Sequence, residues 1–239
     1  MPDGSVLRTA VVGVDGSTAV VRLATGNSRT GDGSVGTLAV DLAAREAAWV
    51  QSGLDPLAVV GGLVAGLLDD PRDQALQARR VADGSTVWSK DVEAAQAVPA
   101  GPELLLVHGL RGREFGAVTG VRVVDGGEVD VRLPAKARGL PRYCAHDGRS
   151  VAVCVNSTVF GLDPASGEVL WSLADDPDRL PLRVTGAWHG LVYGDTGRNG
   201  PVVLDARTGE DVGTSPGAAP YWTDGRYAVT DDEVVPVTG

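Results

Sequence analysis

The sequence predicts an all-β protein made of one four-stranded unit that recurs along the chain. Two series of turns support this prediction. In the first series a strand ends at or near an Asp, a Gly turns the chain, and the next strand reaches a Trp, as in LDPASGEVLWSL (162–173). In the second series two turn residues separate apolar runs, as Asp147-Gly148 does before SVAVCV. Tight hairpins need such residues where φ is positive.

The first series marks the last connection of each unit. Arg45 stands where Gly is expected, and Trp49, Trp88 and Trp171 lie in the strands that follow three of the turns. The six anchors are Gly4, Arg45, Gly84, Gly127, Gly167 and Gly209, which are 41, 39, 43, 40 and 42 residues apart. A unit of about forty residues is typical of propellers.

The second series marks the first connection of each unit. Its six turns are Asp15-Gly16, Gly61-Gly62, Ala100-Gly101, Asp147-Gly148, His189-Gly190 and Asp224-Gly225. Two turn series with one period define an inner strand, two middle strands and an outer strand. These four strands make one blade, so the sequence predicts a β-propeller of six four-stranded blades.

The ends of the chain predict how the ring closes. Residues 5–9 form an outer strand without a blade of its own, and blade 6 (219–238) ends after its third strand. We therefore expect one domain over residues 1–239, in which the N-terminal strand completes blade 6 and removes the exposed sheet edges. A chain that forms part of a seven- or eight-bladed ring is the alternative.

Apolar stretches and net charge limit the cellular locations and the classes of partner that the sequence allows. The longest apolar stretch, LAVVGGLVAGLL (57–68), is too short to cross a bilayer, and the start of the chain does not resemble a signal peptide. We expect no membrane span, and a cytoplasmic location unless an N-terminal anchor was removed, in which case the chain belongs to the cell envelope. The formal charge of −10 argues against nucleic acid, whose phosphates require clustered Lys and Arg.

The two cysteines flank one hairpin turn. A two-residue turn at Asp147-Gly148 pairs Cys144 with Val151 and leaves the two sulfurs on opposite faces, so we expect two free thiols. A three-residue loop would instead place Cys144 opposite Cys154 and allow a disulfide.

The repeat resembles the pyrroloquinoline-quinone-like (PQQ-like) β-propeller repeat, whose units run through a third strand into Asp, a Gly turn and a strand with Trp. The resemblance covers essentially the whole chain and is strongest at 162–173, whereas Val131, Gly213 and Arg8 replace the Trp in the weaker copies. It implies that the repeat residues hold neighbouring blades together. These residues are Trp49, Trp88, Trp171, Gly84, Gly127, Gly167 and Gly209.

Proteins with this repeat include quinone-dependent dehydrogenases and non-enzymatic proteins, such as the outer-membrane assembly lipoprotein and sensor domains of bacterial kinases. The dehydrogenases have larger rings, adjacent cysteines, a calcium site and a catalytic Asp in long insertions. None of these features is recognisable in this sequence. The resemblance therefore implies the non-enzymatic type, with no catalytic residue, no metal and no cofactor.

Charged loops are the remaining lead to function. Strand alternation places the loops between second and third strands on one face of the ring, and this face is mainly acidic with interspersed Arg. Its candidate partner-binding residues are Asp70, Asp73, Arg111, Arg113, Asp176, Asp195 and Asp232. A surface of one dominant charge steers oppositely charged partners. The alternative is that these loops are only solvated and keep the protein soluble.

These observations predict a monomeric scaffold or sensor propeller that recognises a protein or peptide through its acidic loop face. The alternative is an enzyme that binds a quinone or a sugar in the central channel. The inner strands read VVG, AVV, YCA and GAW and offer few acids or bases for proton transfer, which favours the binding protein.

Overall fold

The structure is a computed structural model, which describes residues 6–26, 33–70, 73–114, 116–175, 181–212, 219–223, 227–230 and 233–236. The regular elements in these ranges are β-strands, with one short 3-10 turn at Leu173–Asp175. The predicted all-β class is confirmed. In the same ranges, no helix has the length and apolar character that a membrane crossing requires.

The first antiparallel meander begins with a long hairpin. Its second strand reads TAVVRLATG, and the β-branched residues in such a segment suit a pleated, half-buried surface. The meander has the spatial order β1-β2-β3-β4, with β1 (Val6–Asp15), β2 (Thr18–Gly26), β3 (Gly33–Asp41) and β4 (Glu46–Ser52).

The second and third meanders share one strand. The second comprises β5 (Leu54–Val60), β6 (Leu63–Asp70), β7 (Asp73–Arg80) and the start of β8 (Thr86–Pro99). The third comprises the rest of β8, β9 (Leu104–Leu110), β10 (Val118–Arg122) and β11 (Glu128–Asp130). The first part of β8 pairs with β7 and the last part pairs with β9. Between the two parts Ala94 has a φ of 46°, so β8 ends one meander and begins the next.

Three further meanders follow. The fourth has β12 (Tyr143–His146), β13 (Ala152–Val155), β14 (Val159–Leu162) and β15 (Val169–Ser172). The fifth has β16 (Arg183–Trp188), β17 (Leu191–Asp195) and β18 (Pro201–Asp205), and Leu204 of β18 forms a bridge with Asp211. The sixth has β19 (Trp222–Thr223), β20 (Tyr227–Val229) and β21 (Val234–Pro236).

The chain divides into two compact units, residues 1–129 and 130–239. The first unit contains the first three meanders, and the second unit contains the other three. That residues 1–239 form one propeller domain remains a prediction.

One five-residue turn joins the third strand to the outer strand in five of the meanders. The fifth residue has a positive φ, which Gly adopts without steric cost, and it donates its N–H to the carbonyl of the first residue. The donors and acceptors are Arg45 and Asp41, Gly84 and Arg80, Gly126 and Arg122, Gly167 and Asp163, and Gly209 and Asp205, at 2.8–2.9 Å.

The predicted anchor Gly127 is wrong by one residue. Gly126 has the positive φ, 69°, and occupies the fifth position of the turn. Gly127 instead donates its N–H to the Asp125 side chain at 2.7 Å. The reason is that the first residue of this turn is Arg122, and the fifth residue counted from Arg122 is Gly126.

The three repeat Trp residues contact the meander that follows their own. The indole Nε1 of Trp49 donates to the Val81 carbonyl, that of Trp88 to Val123 and that of Trp171 to Ala206, each at 2.8 Å. Each indole lies against the turn Gly of that next meander, where an added Cβ would come within 3 Å of the ring. The Gly partners are Gly84, Gly126 and Gly209, respectively.

The hydrophobic cores lie between consecutive meanders. Leu76 of the second meander and Leu105 of the third belong to one buried cluster. Val20 and Val64 belong to a smaller cluster between the first and second meanders. In the second unit, Val153 and Leu204 belong to the cluster between the fourth and fifth meanders. The first three meanders, and the fourth and fifth, are therefore packed face to face.

The expectation of two free thiols is wrong. Cys144 lies directly opposite Cys154 in the β12–β13 ladder, and the two form a disulfide. The register is that of the predicted alternative, because the backbone N–H of Asp147 donates to the Val151 carbonyl at 2.9 Å and leaves a three-residue loop, 148–150. The buried carboxylate of Asp147 accepts hydrogen bonds from the N–H groups of Arg149, Ser150 and Val151, which stabilises the longer loop.

The predicted closing strand is also wrong. Residues 7–9 lie in β1 and pair with residues 25–23 of β2, so they extend the first hairpin rather than complete the sixth meander. The continuous register from Val6 to Val11 explains this, because β2 is long enough to pair with all of it. Among the described residues, β21 is the last strand of its sheet.

Candidate functional site

Where they fall within the described ranges, the predicted partner-binding residues lie in or next to the connections between second and third strands. Arg111 and Arg113 lie in the loop between β9 and β10, and Asp195 ends β17. Asp70 and Asp73 are register partners that flank the β6–β7 turn. Asp176 and Asp232 lie outside the described residues.

Arg113 belongs to a three-residue ion cluster that the sequence did not predict. Its guanidinium donates from Nε to Glu128 Oε2 at 3.0 Å and also contacts the same oxygen through Nη2. The ammonium of Lys90 donates to the other carboxylate oxygen, Glu128 Oε1, at 3.0 Å. One carboxylate of β11 therefore joins a cation of β8 to a cation of the β9–β10 loop.

Glu128 is held in its charged form by these contacts. The hydrogen bonds from Arg113 and then Lys90 lower the pKa of Glu128 below its ordinary value, although burial acts in the opposite direction. A lowered pKa means that Glu128 is ionised at neutral pH. Its carboxylate is therefore an acceptor and is not available as a general acid.

The cluster borders a shallow, open cleft of about 520 Å³, which we call the outer cleft. Its charged lining residues are Lys90, Asp91, Arg111 and Glu128, and the buried Leu110 forms its apolar part. Ser89 and Gly112 complete the lining. The backbone N–H of Arg111 donates to the Asp91 carbonyl at 3.1 Å, which fixes the loop against the end of the outer strand.

Arg111 differs from Arg113 in that its side chain has no partner among the described residues. Its side chain is exposed, and it forms no ion pair or hydrogen bond with any residue in the described ranges. Three cations, Lys90, Arg111 and Arg113, thus meet two carboxylates, Asp91 and Glu128. The charged residues that line the outer cleft balance one another, and Arg113, which bonds to Glu128 beside the lining, adds one positive charge.

The other predicted residues have local roles or no described contact with this cluster. Asp195 accepts a hydrogen bond from the backbone N–H of Gly197 at 2.5 Å, which organises the β17–β18 loop. Only Arg111 and Arg113 of the predicted set share a site among the described residues. Sequence reasoning missed Lys90 and Glu128 because both lie in outer strands, where only the Trp and Gly pattern was informative.

The described residues lack the metal-ligand cluster and the adjacent cysteines of the quinone-dependent enzymes with this repeat. No group of three His, Cys, Asp or Glu side chains in these ranges could hold a metal ion. Cys144 and Cys154 are joined across a hairpin and do not form the adjacent pair that the quinone-dependent relatives of the repeat use. The donor set in the described ranges therefore does not fit the cofactor that the resemblance associates with those enzymes.

Comparison with known proteins supplies no family assignment. No protein-family model matches the chain, and no curated protein matches it. Among solved structures, the chain is similar to KlHsv2 with loop 6CD replaced by a Gly-Ser linker, at 10% identity and a TM-score of 0.44, over 80% of this chain and 60% of that chain. The chain thus spans 60% of the length of the KlHsv2 chain.

Two further solved structures are similar over most of this chain. The β-propeller domain of the trilobed protease from Pyrococcus furiosus matches at 11% identity and a TM-score of 0.38, over 99% of this chain and 96% of that chain. Apo AztD from Citrobacter koseri matches at 11% identity and a TM-score of 0.48, over 92% of this chain and 76% of that chain.

Proposed function

We propose that the chain is a six-bladed β-propeller that binds a protein or peptide and catalyses no reaction. The meanders are its blades, and the shared five-residue turns and Trp contacts supply the support for this architecture. In each meander, strand alternation places the loop between the second and third strands at the same end as the connection to the next meander. We call this the loop end, and the partner binds there.

The outer cleft is the observation that carries the binding proposal. Arg111 belongs to a loop at the loop end of the third meander, and its exposed guanidinium lies beside the ionised Lys90, Glu128 and Arg113 cluster. Charged groups at a protein surface give a partner its specificity and increase its rate of association. Glu128 is already bonded on both oxygens, so the cluster is arranged for recognition rather than for proton transfer.

The disulfide supports a location outside the cytosol. A cross-strand disulfide persists in an oxidising compartment and is rare where glutathione and thioredoxin keep thiols reduced. We therefore propose that the chain works as a scaffold or sensor module in the cell envelope. The PQQ-like repeat of non-enzymatic type is compatible with this role.

A peptide-display selection on the full chain tests the proposed function. Enriched peptides are expected to protect backbone amides of residues 111–117, 156–158 or 196–200 from hydrogen exchange, because these loops lie at the loop ends. Protection confined to the opposite ends, at turns such as 61–62 or 189–190, would contradict the proposal. Failure to enrich any peptide would also contradict it.

Thermal unfolding tests the rival enzyme. A ligand that binds the folded state alone raises the melting temperature. We expect no rise on addition of pyrroloquinoline quinone with calcium, at concentrations that saturate known quinone proteins. A rise of several degrees would overturn the non-catalytic proposal and direct the search to a quinone site.

A further inference from the structure

We infer that the outer cleft binds the carboxylate of an acidic residue in a peptide partner. This inference rests on the proposed function and names the chemistry of the segment that is recognised. The residues that carry it are Arg111, Arg113, Lys90 and Glu128.

The count of hydrogen-bond donors shows that the cleft has unused capacity. An Arg guanidinium has five N–H donors and a Lys ammonium has three. Glu128 takes one donor from Lys90 and two from Arg113, and no described residue bonds to the Arg111 guanidinium. Most donors of the three cations therefore remain open to a second acceptor, while both oxygens of Glu128 are occupied.

Glu128 shows what kind of group these cations accept. Its oxygen Oε2 accepts from two nitrogens of Arg113, and its oxygen Oε1 accepts from Lys90, and such charge-assisted hydrogen bonds are stronger than neutral ones. Arg111 is beside this arrangement but is not part of it. A second carboxylate would bind Arg111 and the free donors of Arg113 in the same manner.

The charge balance favours a carboxylate over phosphate or nucleic acid. The charged lining of the cleft is neutral, and Arg113 beside it adds one positive charge, which a single carboxylate neutralises. A phosphate monoester carries roughly −1.5 to −2 at neutral pH, and Asp91 and Glu128 would repel the excess. An extended polyanion would also meet the chain's net charge of −10, which opposes binding along a backbone of phosphates.

Fluorescence polarisation with three labelled peptides tests the inference. The probes share the sequence Gly-Ser-Lys-Glu-Glu-Lys-Ser-Gly, in which the two Glu are retained, replaced by Gln, or replaced by phosphoserine. Wild-type protein at low ionic strength is expected to bind the Glu peptide at least about tenfold more tightly than the Gln peptide, since charge-assisted hydrogen bonds are lost in the latter. The Glu peptide is also expected to bind more tightly than the phosphoserine peptide.

Two protein variants locate the binding site. Arg111→Gln should weaken binding of the Glu peptide roughly tenfold, because it removes the open guanidinium. Glu128→Gln should strengthen it roughly fivefold, because it removes a competing carboxylate and retains the shape of the side chain. A purely structural role of Glu128 would give the opposite sign.

Arg132→Gln is the matched control. Arg132 is 92% exposed and pairs with Asp130 at 3.6 Å, so this variant changes the net charge equally without altering the cleft. Its affinity for the Glu peptide should equal that of wild type. Equal weakening by Arg132→Gln and Arg111→Gln, weaker binding by Glu128→Gln, preference for the phosphoserine peptide, or no binding would each overturn the inference.

The display selection separates failure of this inference from failure of the proposed function. If enriched peptides protect the loop ends but lack Glu or Asp, the binding function holds and the carboxylate inference is wrong. If no peptide protects the loop ends, the proposed function itself is wrong.

Discussion

The indole of Trp171 lies flat against Gly209 of the next meander. A Cβ on Gly209 would come within 2.6 Å of the indole ring, while the indole N–H is held by the Ala206 carbonyl at 2.8 Å. The ring cannot retreat without losing this hydrogen bond. The contact therefore links a turn conformation in one meander to an aromatic side chain of the preceding one.

Gly209→Ala is expected to destabilise the protein by roughly 3 kcal/mol, from about 1–2 kcal/mol for the left-handed backbone and the rest for displacement of the indole. Gly197→Ala is the control, because Gly197 has the same φ of 72° and no atom within 4 Å of an added Cβ. Gly197→Ala should lower the free energy of unfolding only by the backbone contribution of about 1–2 kcal/mol. Urea unfolding followed by circular dichroism measures both, and equal losses would contradict an indole contact that matters for stability.

Arg45→Gly is expected to stabilise the protein by about 0.5–1 kcal/mol. Arg45 has a φ of 58° at the position where the other turns have Gly. The left-handed backbone destabilises a residue with a Cβ by about 1–2 kcal/mol. Part of the gain is lost to the greater freedom of Gly in the unfolded chain. Arg45→Ala removes the same charge but retains the strained conformation. A gain of the same size in both variants would show that the charge, and not the backbone, was responsible.

The repeated turns were predictable from the sequence because their requirement is local. A positive φ favours Gly over residues with a Cβ, so the period was visible in the Gly anchors even though Arg45 occupies one of these positions. The exact register at Gly126 and Gly127 was not, because two adjacent Gly residues are equivalent until the first turn residue, Arg122, is known. Which of the two Gly residues occupies the fifth turn position depends on the hydrogen bond to Arg122, and the residue types alone do not show it.

The hairpin loop and the outer cleft depend on contacts that sequence patterns do not encode. The Cys144–Cys154 register follows from the side chain of Asp147, which bonds three backbone N–H groups. Lys90 and Glu128 are 38 residues apart and meet only because consecutive meanders pack together. Arg111 and Arg113 were found because charged loop residues are visible in the sequence, whereas their partner in β11 was not.

Reduction of the disulfide is expected to lower the free energy of unfolding by about 2–3 kcal/mol. The bond closes a short loop, with a sequence separation of 10 residues, and the estimate follows from the restriction of that loop in the unfolded chain. Urea unfolding with and without a reductant measures the difference. The Cys144→Ala, Cys154→Ala double variant should be insensitive to reductant. Stoichiometric reaction of wild type with a thiol reagent in its unreduced form would contradict the disulfide.

Asp147 is expected to make stability depend on acidic pH. Burial raises its pKa, but the backbone N–H donors of Val151, Arg149 and Ser150 together lower it, and the net pKa lies below the ordinary value. The unfolded state therefore binds a proton more readily than the folded state. The stabilisation is complete above the unfolded pKa of about 3.9, and it is lost as the pH falls through the lower folded pKa.

Asp147→Asn removes this titration, so it should reduce stability at pH 7, and its difference from wild type should narrow as the pH falls below about 4. Urea unfolding at a series of pH values, with the disulfide intact, measures that difference. Asp130→Asn is the control, because Asp130 is 85% exposed and its loss changes the net charge equally. A difference between Asp147→Asn and wild type that stays constant from neutral to acidic pH would mean that the ionised carboxylate does not stabilise the loop. The longer loop, and with it the register that joins Cys144 to Cys154, would then need another cause.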